Sequence, residues 1–225
     1  EKNGSTWSTM YGGSRMTVTN AIAFGIDVSE HNGNINWAKA KAAGVEFAII
    51  RCGYGMNQSN QDDKYFFQNV RGCLDNDIPF GIYLYSYADS TSRASSEADH
   101  VLRLLSEAGL SRAKVAYPIY YDLEEKSLEK TSNRALLANM ASTFCNKISN
   151  AGYAVGIYAN KNWFDNYLTD PVFNKWTKWV AQYPYSGTLN AKCSYSGTHD
   201  MWQCMSSGKV NGINTAVDIN FDYRW

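Results

Sequence analysis

The order of predicted elements is the feature that most constrains this chain. Short runs rich in β-branched and aromatic residues alternate with longer amphipathic stretches that have helical spacing. The pairs are FGIDVS and NWAKAKAAG, FAIIRCG and KYFFQNVRGCLDND, PFGIYLYSYA and SRASSEADHVLRLLSEAG, YPIYYDLE and SNRALLANMASTFCNKISNAG, and YAVGIYAN and WFDNYL. This alternation predicts parallel strands joined by crossover helices.

The last part of the chain departs from this alternation. Its strand-like runs KWVAQY, HDMWQC and VDINF are separated by Gly-, Ser- and Asn-rich connections that leave no room for full helices. Eight strands with about five helices predict an α/β fold, an irregular (β/α)8-like barrel of parallel strands with the last helices missing. The 225 residues suffice for one such domain, which we place at residues 21–225.

Residues 1–20 have a different composition. They are rich in Ser, Thr, Gly and Asn and show no apolar periodicity, so we expect a linker or an arm ordered only by packing. The segment has no charged-then-apolar signal pattern, and no run in the chain approaches the ~20 apolar residues of a transmembrane helix. We expect no membrane partner, and we infer that any export signal is absent from this sequence.

Charge and cysteine content argue against several function classes. The 21 basic and 21 acidic residues cancel, so no long-range field attracts nucleic acid or an anionic membrane. The five cysteines form no C-x-x-C pair and have no histidine cluster beside them, which argues against a metal site. Cys193 and Cys204 bracket a stretch whose length suits a hairpin closed by a disulfide, which indicates an oxidising compartment and a secreted protein. We interpret Cys52, Cys73 and Cys145 as buried thiols.

Side-chain alternation places four carboxylates inside the predicted barrel. In YPIYYDLE the apolar residues fall mostly on one face, whereas Asp122 and Glu124 fall on the other. The same alternation turns Asp27 of FGIDVS and Asp218 of VDINF away from their apolar neighbours. All four lie toward strand ends, and barrel enzymes carry their active sites at the C-terminal mouth. These four residues are therefore our catalytic candidates.

Neighbouring carboxylates predict acid–base chemistry. Like charges and partial desolvation raise the pKa of at least one of them, which leaves a proton donor near neutral pH. Cleavage of a glycosidic bond needs such a donor and a partner for the developing oxocarbenium charge, and Asp122 with Glu124 can supply both. The structural alternatives are that the D-x-E tripeptide faces solvent, that Asp27 caps a helix or turn, and that Asp218 caps the closing turn.

Aromatic and amide side chains near the strand ends are candidates for substrate binding. Flat amphipathic rings suit a groove in which sugar rings stack, although core packing is the alternative for each of them. The candidates are Tyr54, Tyr85, Tyr158, Tyr183, Trp202, Gln203 and Asn220. His31, His100 and His199 show no repeated ligand spacing, so we expect surface or internally bonded histidines and no bound metal.

With these residues in view, the sequence resembles the glycoside hydrolase family 25 lysozymes over nearly all of residues 22–225. The resemblance is carried, in order, by GIDVSEHNG, FAIIRCGYG, the D-x-x-F-x-x-N run of DDKYFFQNV, PFGIYLYSYA, YYDLE, GIYAN, WVAQY, DMWQC and VDIN. It implies a flattened β8α5 barrel that hydrolyses the β-1,4 bond between N-acetylmuramic acid and N-acetylglucosamine. With it we expect no cofactor, peptidoglycan glycan strands as the partner, and a secreted, cell-wall-associated monomer.

The resemblance also implies a role for each carboxylate. Glu124 would be the general acid/base, and Asp122 would orient the 2-acetamido group of the substrate or stabilise the ion it forms. Asp27 and Asp218 would be supporting carboxylates in the cleft. Whether the acetamido oxygen acts as the nucleophile stays open, because the D-x-E motif resembles that of substrate-assisted enzymes. Two rival functions remain: a non-hydrolytic peptidoglycan-binding module and a chitinase-like N-acetylhexosaminidase.

Overall fold

The N-terminal residues form a small antiparallel sheet that precedes the barrel. The structure is a computed structural model, and it describes residues 2–4, 6–11, 14–130, 133–185 and 190–224. Strand β2 (Thr6–Tyr11) pairs on one side with β1 (Lys2–Asn3) and on the other with β3 (Ser14–Thr19).

For these residues the composition had indicated a linker or an arm ordered only by packing, and the structure adds a regular sheet. Trp7 and Val18 are direct cross-strand partners, and both are buried together with Met16. The Trp7 ring packs edge-on against Phe221 of the last barrel strand, with 5.7 Å between ring centroids. Isolated apolar residues at alternate positions among Ser and Thr suffice for a strand with one buried face. The segment therefore packs on the barrel, and the domain boundary at residue 21 stays a prediction.

Eight strands of the described chain close into a barrel. In chain order they are β4 (Ala23–Val28), β5 (Phe47–Tyr54), β6 (Phe80–Tyr85), β7 (Ile119–Asp122), β8 (Val155–Asn160), β9 (Thr177–Ala181), β10 (Met201–Gly208) and β11 (Val217–Asp222). Each strand pairs with the next one along the chain, and β11 closes the ring against β4. The predicted irregular α/β barrel is confirmed.

The direction of the last strand corrects one part of the prediction. Neighbouring strands from β4 to β10 run parallel, but β11 is antiparallel to both β10 and β4. A parallel connection needs a crossover of about a dozen residues or more. Residues 209–216, which join β10 to β11, are too few for that, so the chain turns back as a hairpin. The barrel is therefore mixed and not wholly parallel.

Five α-helices flank the barrel within the described residues. They follow β4 to β8 in turn and are α1 (Trp37–Ala42), α2 (Phe66–Asp75), α3 (Thr91–Glu107), α4 (Arg134–Asn150) and α5 (Lys161–Asn166). The side chains that cap helix starts by accepting a backbone N–H bond are Asn36, Ser90, Asn133 and Asn160. None of the helices in the described ranges is long and apolar enough to cross a membrane.

Alternation along the strands sends apolar side chains to two separate clusters. Outward residues pack on the helices, where Tyr121 of β7 stacks on Phe144 of α4 with ring centroids 4.0 Å apart. Inward residues fill the N-terminal end of the barrel, where Phe47 stacks on Tyr117 at 4.6 Å. Gly25 is required opposite this ring because a β-carbon there would lie 2.5 Å from Phe47. Since this end is filled, the space for a site lies at the C-terminal mouth.

The cysteines correct a second prediction. All five lie within the described residues and are buried free thiols, so the predicted Cys193–Cys204 disulfide is wrong. The expected hairpin does not form, because β10 takes β9 and β11 as its partners. The segment before it instead bridges to the N-terminal sheet, where Ala191 pairs with Val18. The disulfide no longer supports an oxidising compartment, and secretion stays a prediction. The interpretation of Cys52, Cys73 and Cys145 as buried thiols is confirmed.

Candidate active site

A cavity of about 420 Å³ opens at the C-terminal ends of the barrel strands. We call it the central cavity. Its lining residues are Asp27, Ser29, His31, Asn32, Arg51, Tyr83, Tyr85, Asp122, Glu124, Tyr158, Trp179, Tyr183, Gln203, Ala216 and Asp218. It contains all four catalytic candidates. A larger groove of about 720 Å³ runs along α1 and α2 outside the barrel, but its acidic residue Asp75 is already paired with Arg71, so that groove offers no comparable acid–base group.

The antiparallel pairing of β4 and β11 brings Asp27 and Asp218 face to face. These residues are direct partners in the strand register. Oδ2 of Asp27 accepts hydrogen bonds from Nε2 of Gln203 at 2.9 Å and from Nδ2 of Asn220 at 2.8 Å. Burial raises the pKa of Asp27 to about 6 even though these two bonds lower it. Burial, followed by the nearby charges of Asp27 and Glu124, raises the pKa of Asp218 to about 8.

Donors on the far side of the two amides determine which way the amides point. Trp179 donates its indole N–H to Oδ1 of Asn220 at 2.8 Å. The hydroxyls of Tyr158 and Tyr183 donate to Oε1 of Gln203 at 3.0 and 2.9 Å. A tryptophan N–H can only donate, so the oxygen of Asn220 faces the ring and its NH₂ group faces Asp27. This network holds Asp27 in place and favours its ionised form.

Asp122 is a buried carboxylate with an unused acceptor. Its side chain is 2% exposed, and among the described residues its Oδ1 has no hydrogen-bond partner. Burial raises its pKa well above the usual range, the charges of Glu124 and Asp27 add to this, and Arg51 opposes it. A buried acceptor without a partner costs free energy unless a ligand supplies the donor. Asp122 is therefore prepared to receive an N–H or O–H group of a substrate.

Glu124 lies just beyond the end of β7, between two cavities. It lines the central cavity and also a side cavity of about 320 Å³, whose other lining residues are Tyr158, Asn160, Ala181, Gln182 and Tyr183. Burial is the main cause that raises its pKa, and the charges of Asp27 and Glu125 contribute. A carboxyl group with a raised pKa at the junction of two cavities suits proton transfer to a bond that spans them.

Arg51, a cationic side chain that lines the central cavity, forms its ion pairs outside the acid cluster. The guanidinium of Arg51 donates to Asp63 at 2.8 Å and to Glu30 at 3.0 Å, and neither partner is one of the four catalytic candidates. Its charge therefore compensates the cluster only in part, which agrees with the raised pKa values. In the described ranges of the chain, no group of three or more His, Cys, Asp or Glu residues is arranged to hold a metal ion. The expectations of no metal and no cofactor stay predictions.

A comparison with known families decides what this barrel is. Residues 26–213 match the family model described as glycosyl hydrolases family 25, which covers far more than half of the chain. The chain belongs to glycoside hydrolase family 25. The resemblance that the sequence motifs carried is thereby confirmed.

Two curated relatives cover most of this family 25 chain. It is 26% identical to the autolytic lysozyme of Clostridium acetobutylicum over 196 residues, which are 87% of the chain and 54% of that protein. It is also 26% identical to Lysozyme M1 of Streptomyces globisporus over 208 residues, which cover 87% of the chain and 66% of that protein. The chain thus spans about half to two thirds of the length of these relatives.

Solved structures share the barrel. The modular autolysin LytC of Streptococcus pneumoniae, in complex with a synthetic peptidoglycan ligand, matches with a TM-score of 0.76 and 28% identity, over 95% of this chain and 51% of that one. The lysozyme of Streptomyces coelicolor matches with a TM-score of 0.71 and 25% identity, over 88% of this chain and 90% of that one. The family 25 fold is therefore present over nearly the whole chain.

The structure sorts the predicted substrate-binding residues into three groups. Tyr85, Tyr158, Tyr183 and Gln203 line the central cavity. Asn220 is fully buried and does not line the cavity, but it donates a hydrogen bond to Asp27, which does. Tyr54 and Trp202 are not among the lining residues. Tyr54 lies at the rim, where its ring contacts Tyr87, 5.9 Å away.

Trp202 is the one candidate that the structure removes from the cleft. It is fully buried in the outer cluster, with its ring 6.4 Å from Phe221 and its indole N–H donated to the carbonyl of Gln182. It directly precedes Gln203 on β10, and adjacent residues of a strand face opposite sides. Since Gln203 faces the cavity, Trp202 has to face away from it.

Sequence reasoning missed several residues that line the family 25 cleft. Arg51, Tyr83 and Trp179 occupy inward positions on β5, β6 and β9. The alternation that located the acids would have found them, since each is two residues from another inward side chain: Ile49, Tyr85 and Ala181. His31 lines the cavity as well, whereas His100 is buried and bonded to Asp62 at 2.6 Å and to the carbonyl of Gly55 at 3.1 Å.

The raised carboxyl pKa values predict that stability depends on pH. A carboxyl with a higher pKa in the folded chain adds stability below its unfolded pKa and loses that contribution as the pH rises through the folded value. The folded values are about 6 for Asp27 and about 8 for Asp218, against 3.8 for an ordinary aspartate. We therefore expect the thermal midpoint Tm to fall as the pH rises from about 4 to about 8.

The variant Asp218→Asn tests this prediction, because it removes the upper part of that titration. Its Tm should change less than the wild-type Tm between about pH 6 and pH 8, as measured by circular dichroism at constant ionic strength. Asp75→Asn is the matched control, since this carboxyl is exposed and paired with Arg71. If the Tm of Asp218→Asn fell between about pH 6 and pH 8 as steeply as the wild-type Tm, the prediction would be wrong.

Proposed function

We propose that this chain is a muramidase that hydrolyses the β-1,4 bond between N-acetylmuramic acid and N-acetylglucosamine in bacterial peptidoglycan. The observation that carries the proposal is the position of Glu124 between two cavities, beside the buried and unpartnered Oδ1 of Asp122. A glycan strand that fills both cavities presents its scissile bond to Glu124 and an acetamido N–H to Asp122. Family membership and the two lysozyme relatives support this substrate class.

The reaction assigns a role to each carboxyl group. Glu124 transfers its proton to the glycosidic oxygen as the bond to the anomeric carbon breaks and the bonding electrons leave with that oxygen. The positive charge that develops on the sugar ring is stabilised by the carboxylate of Asp27, whose ionised form the hydrogen bonds from Gln203 and Asn220 favour. Water then adds to the anomeric carbon and gives a proton back to Glu124, which restores the enzyme. The raised pKa of Glu124 keeps the first proton available.

The neighbours of Glu124 orient the substrate. Oδ1 of Asp122 accepts the N–H of the 2-acetamido group, which places the acetamido carbonyl toward the anomeric carbon. Asp27, held by Gln203 and Asn220, supplies the negative charge where the positive charge develops, and Asp218, whose pKa is raised to about 8 mainly by burial, supports it as its partner in the strand register. Because the proposed substrate is a wall polymer, we further propose that the protein acts outside the cell. That the protein is a monomer stays a prediction. The LytC structure with its peptidoglycan ligand supports a glycan strand as the partner.

Analysis of the new reducing ends tests this function. Purified peptidoglycan is digested, the products are reduced with borohydride, and the sugar alcohol at each new end is identified by mass spectrometry. We expect reduced N-acetylmuramic acid. Reduced N-acetylglucosamine would contradict the proposed bond, and binding without any product would favour the non-hydrolytic module. Faster cleavage of chitin oligomers than of peptidoglycan fragments would favour the chitinase-like enzyme.

A further inference from the structure

Three tyrosine rings form a row that leads out of the central cavity. Tyr85 lines the cavity, and its ring centroid is 5.0 Å from that of Tyr87. Tyr87 in turn meets Tyr54 edge-on at 5.9 Å. Tyr87 is 50% exposed, which makes it one of the most exposed large hydrophobic side chains in the described part of the chain. We call Tyr54, Tyr85 and Tyr87 the tyrosine row.

A buried carboxylate holds the exposed middle residue of this row. The backbone N–H of Tyr87 donates to Oε1 of Glu97 at 2.8 Å. Oε2 of Glu97 accepts from the hydroxyls of Ser86 at 2.8 Å and Tyr121 at 2.6 Å, and the residue is fully buried beneath the row. Burying a carboxylate costs free energy that these bonds offset. The backbone that carries Tyr87 is therefore fixed, although its ring faces solvent.

The two outer rings of the row also have partners. The Tyr85 hydroxyl donates to Oε2 of Glu125 at 3.3 Å, and the guanidinium of Arg51 lies 6.0 Å from the Tyr54 ring centroid. An aromatic surface that is ordered before binding loses little conformational entropy when a ligand stacks on it. The row is thus a preformed platform continuous with the central cavity.

The row and the side cavity lie on opposite sides of Glu124 around the barrel mouth. Tyr54, Tyr85 and Tyr87 belong to β5, β6 and the residues that follow β6, whereas the side cavity is formed by residues of β8, β9 and the loop after β9. Strand β7, which leads to Glu124, lies between β6 and β8. A linear polymer that crosses the mouth from the side cavity past Glu124 therefore reaches the row.

We propose that the tyrosine row is a distal sugar subsite, on which a pyranose ring of the glycan strand stacks outside the central cavity, away from the bond that is cleaved. This inference rests on the proposed muramidase function. A sugar ring offers an apolar face for Tyr87 and hydroxyl groups for the polar rim around it. Three rings are far too small a patch for a stable protein partner, which needs about 800 Å² from each side. The subsite makes cleavage efficiency depend on the length of the glycan strand.

Kinetics on glycan fragments of two lengths test the subsite. The substrates are a peptidoglycan tetrasaccharide, which is too short to fill both the cleft and the row, and a fragment of about ten sugars. We expect Tyr87→Ala to lower the ratio of kcat/KM on the long fragment to that on the short one by about tenfold, a typical effect of losing one aromatic contact. Tyr87→Phe, which keeps the ring, should retain the wild-type ratio. Phe67→Ala, which changes a ring of α2 that is 43% exposed, is the matched control.

The possible outcomes test the distal subsite and the muramidase function separately. An unchanged length ratio in Tyr87→Ala would overturn the distal subsite and leave the muramidase function intact. Wild-type protein that cleaves neither fragment would overturn the function itself. In that case the affinity for the long fragment, measured by tryptophan and tyrosine fluorescence, decides the subsite: weaker binding by Tyr87→Ala supports it, and equal binding overturns it.

Discussion

Glu124→Gln is expected to lower kcat on peptidoglycan by about a thousandfold, because it removes the proton donor, and general acid–base groups contribute about 10²–10⁴ to the rate. The amide has nearly the same shape, and Glu124 lines the cavities without supporting the core, so the fold should persist. Release of reducing ends at matched protein concentration measures the effect. The KM should change far less than kcat, since the proton transfer acts in the transition state.

The neighbouring residue provides the control for this prediction. Glu125 follows Glu124 in the chain, but its carboxylate accepts from the Tyr85 hydroxyl and from the backbone N–H of Ser127. Glu125→Gln keeps one acceptor oxygen and replaces the other with an NH₂ group, so it loses at most one of these two hydrogen bonds and should retain activity within about tenfold. If Glu124→Gln remained as active as Glu125→Gln, the assignment of the general acid would be wrong.

Asp122→Asn is expected to lower kcat about a hundredfold and to raise stability at the same time. Activity falls because the amide presents an NH₂ group or a weaker acceptor to the substrate acetamido group, so that the sugar is poorly oriented. Stability rises because burial and the charges of Glu124 and Asp27 hold the pKa of Asp122 well above its usual range. Above the pKa of about 4 that Asp122 has in the unfolded chain, this raised pKa lowers the free energy of unfolding of the wild type. Asparagine does not ionise, so the variant avoids that loss.

Thermal denaturation and kinetics on the same samples check both halves of this prediction. The Tm of Asp122→Asn should exceed the wild-type Tm by about 2–4 °C or more at pH 8, the shift for ~1 kcal/mol in a domain of this size, and by less at pH 5. Asp99→Asn, which changes a half-exposed carboxylate paired with Lys147, is the control and should change neither quantity appreciably. A variant that loses both activity and stability would indicate a purely structural role for Asp122.

The four acids show how far sequence reasoning reaches at a site of this kind. Their inward direction followed from the alternation of β4, β7 and β11, and the structure gathers all of them in the central cavity. The same alternation would have excluded Trp202, because it is adjacent to the inward Gln203. It would have included Arg51, because Arg51 is two residues from the inward Ile49. Trp202 was chosen for its aromatic character without that test. For Trp202, the position in the strand alternation predicted the direction of the side chain better than its aromatic character did.

Other features depended on pairings between distant parts of the chain. The few alternating apolar residues at the N-terminus did not indicate a strand by themselves. Their buried face depends on the contact between Trp7 and Phe221, which are far apart in sequence. The separation of Cys193 and Cys204 suited a hairpin, but each cysteine segment has a different strand partner. Glu97 and Tyr87 gave no sequence signal, because their link joins α3 to the end of β6.

For this protein, the sequence by itself determined the kind of each barrel strand and helix and the side of each strand that faces inward, since these follow from backbone geometry that repeats every two or 3.6 residues. The tertiary structure alone decided that β11 runs antiparallel, that Asp27 meets Asp218, and that Glu124 stands between two cavities. The physical reason is that register and ring closure are selected by the summed packing of all strands at once, which no local stretch of sequence encodes.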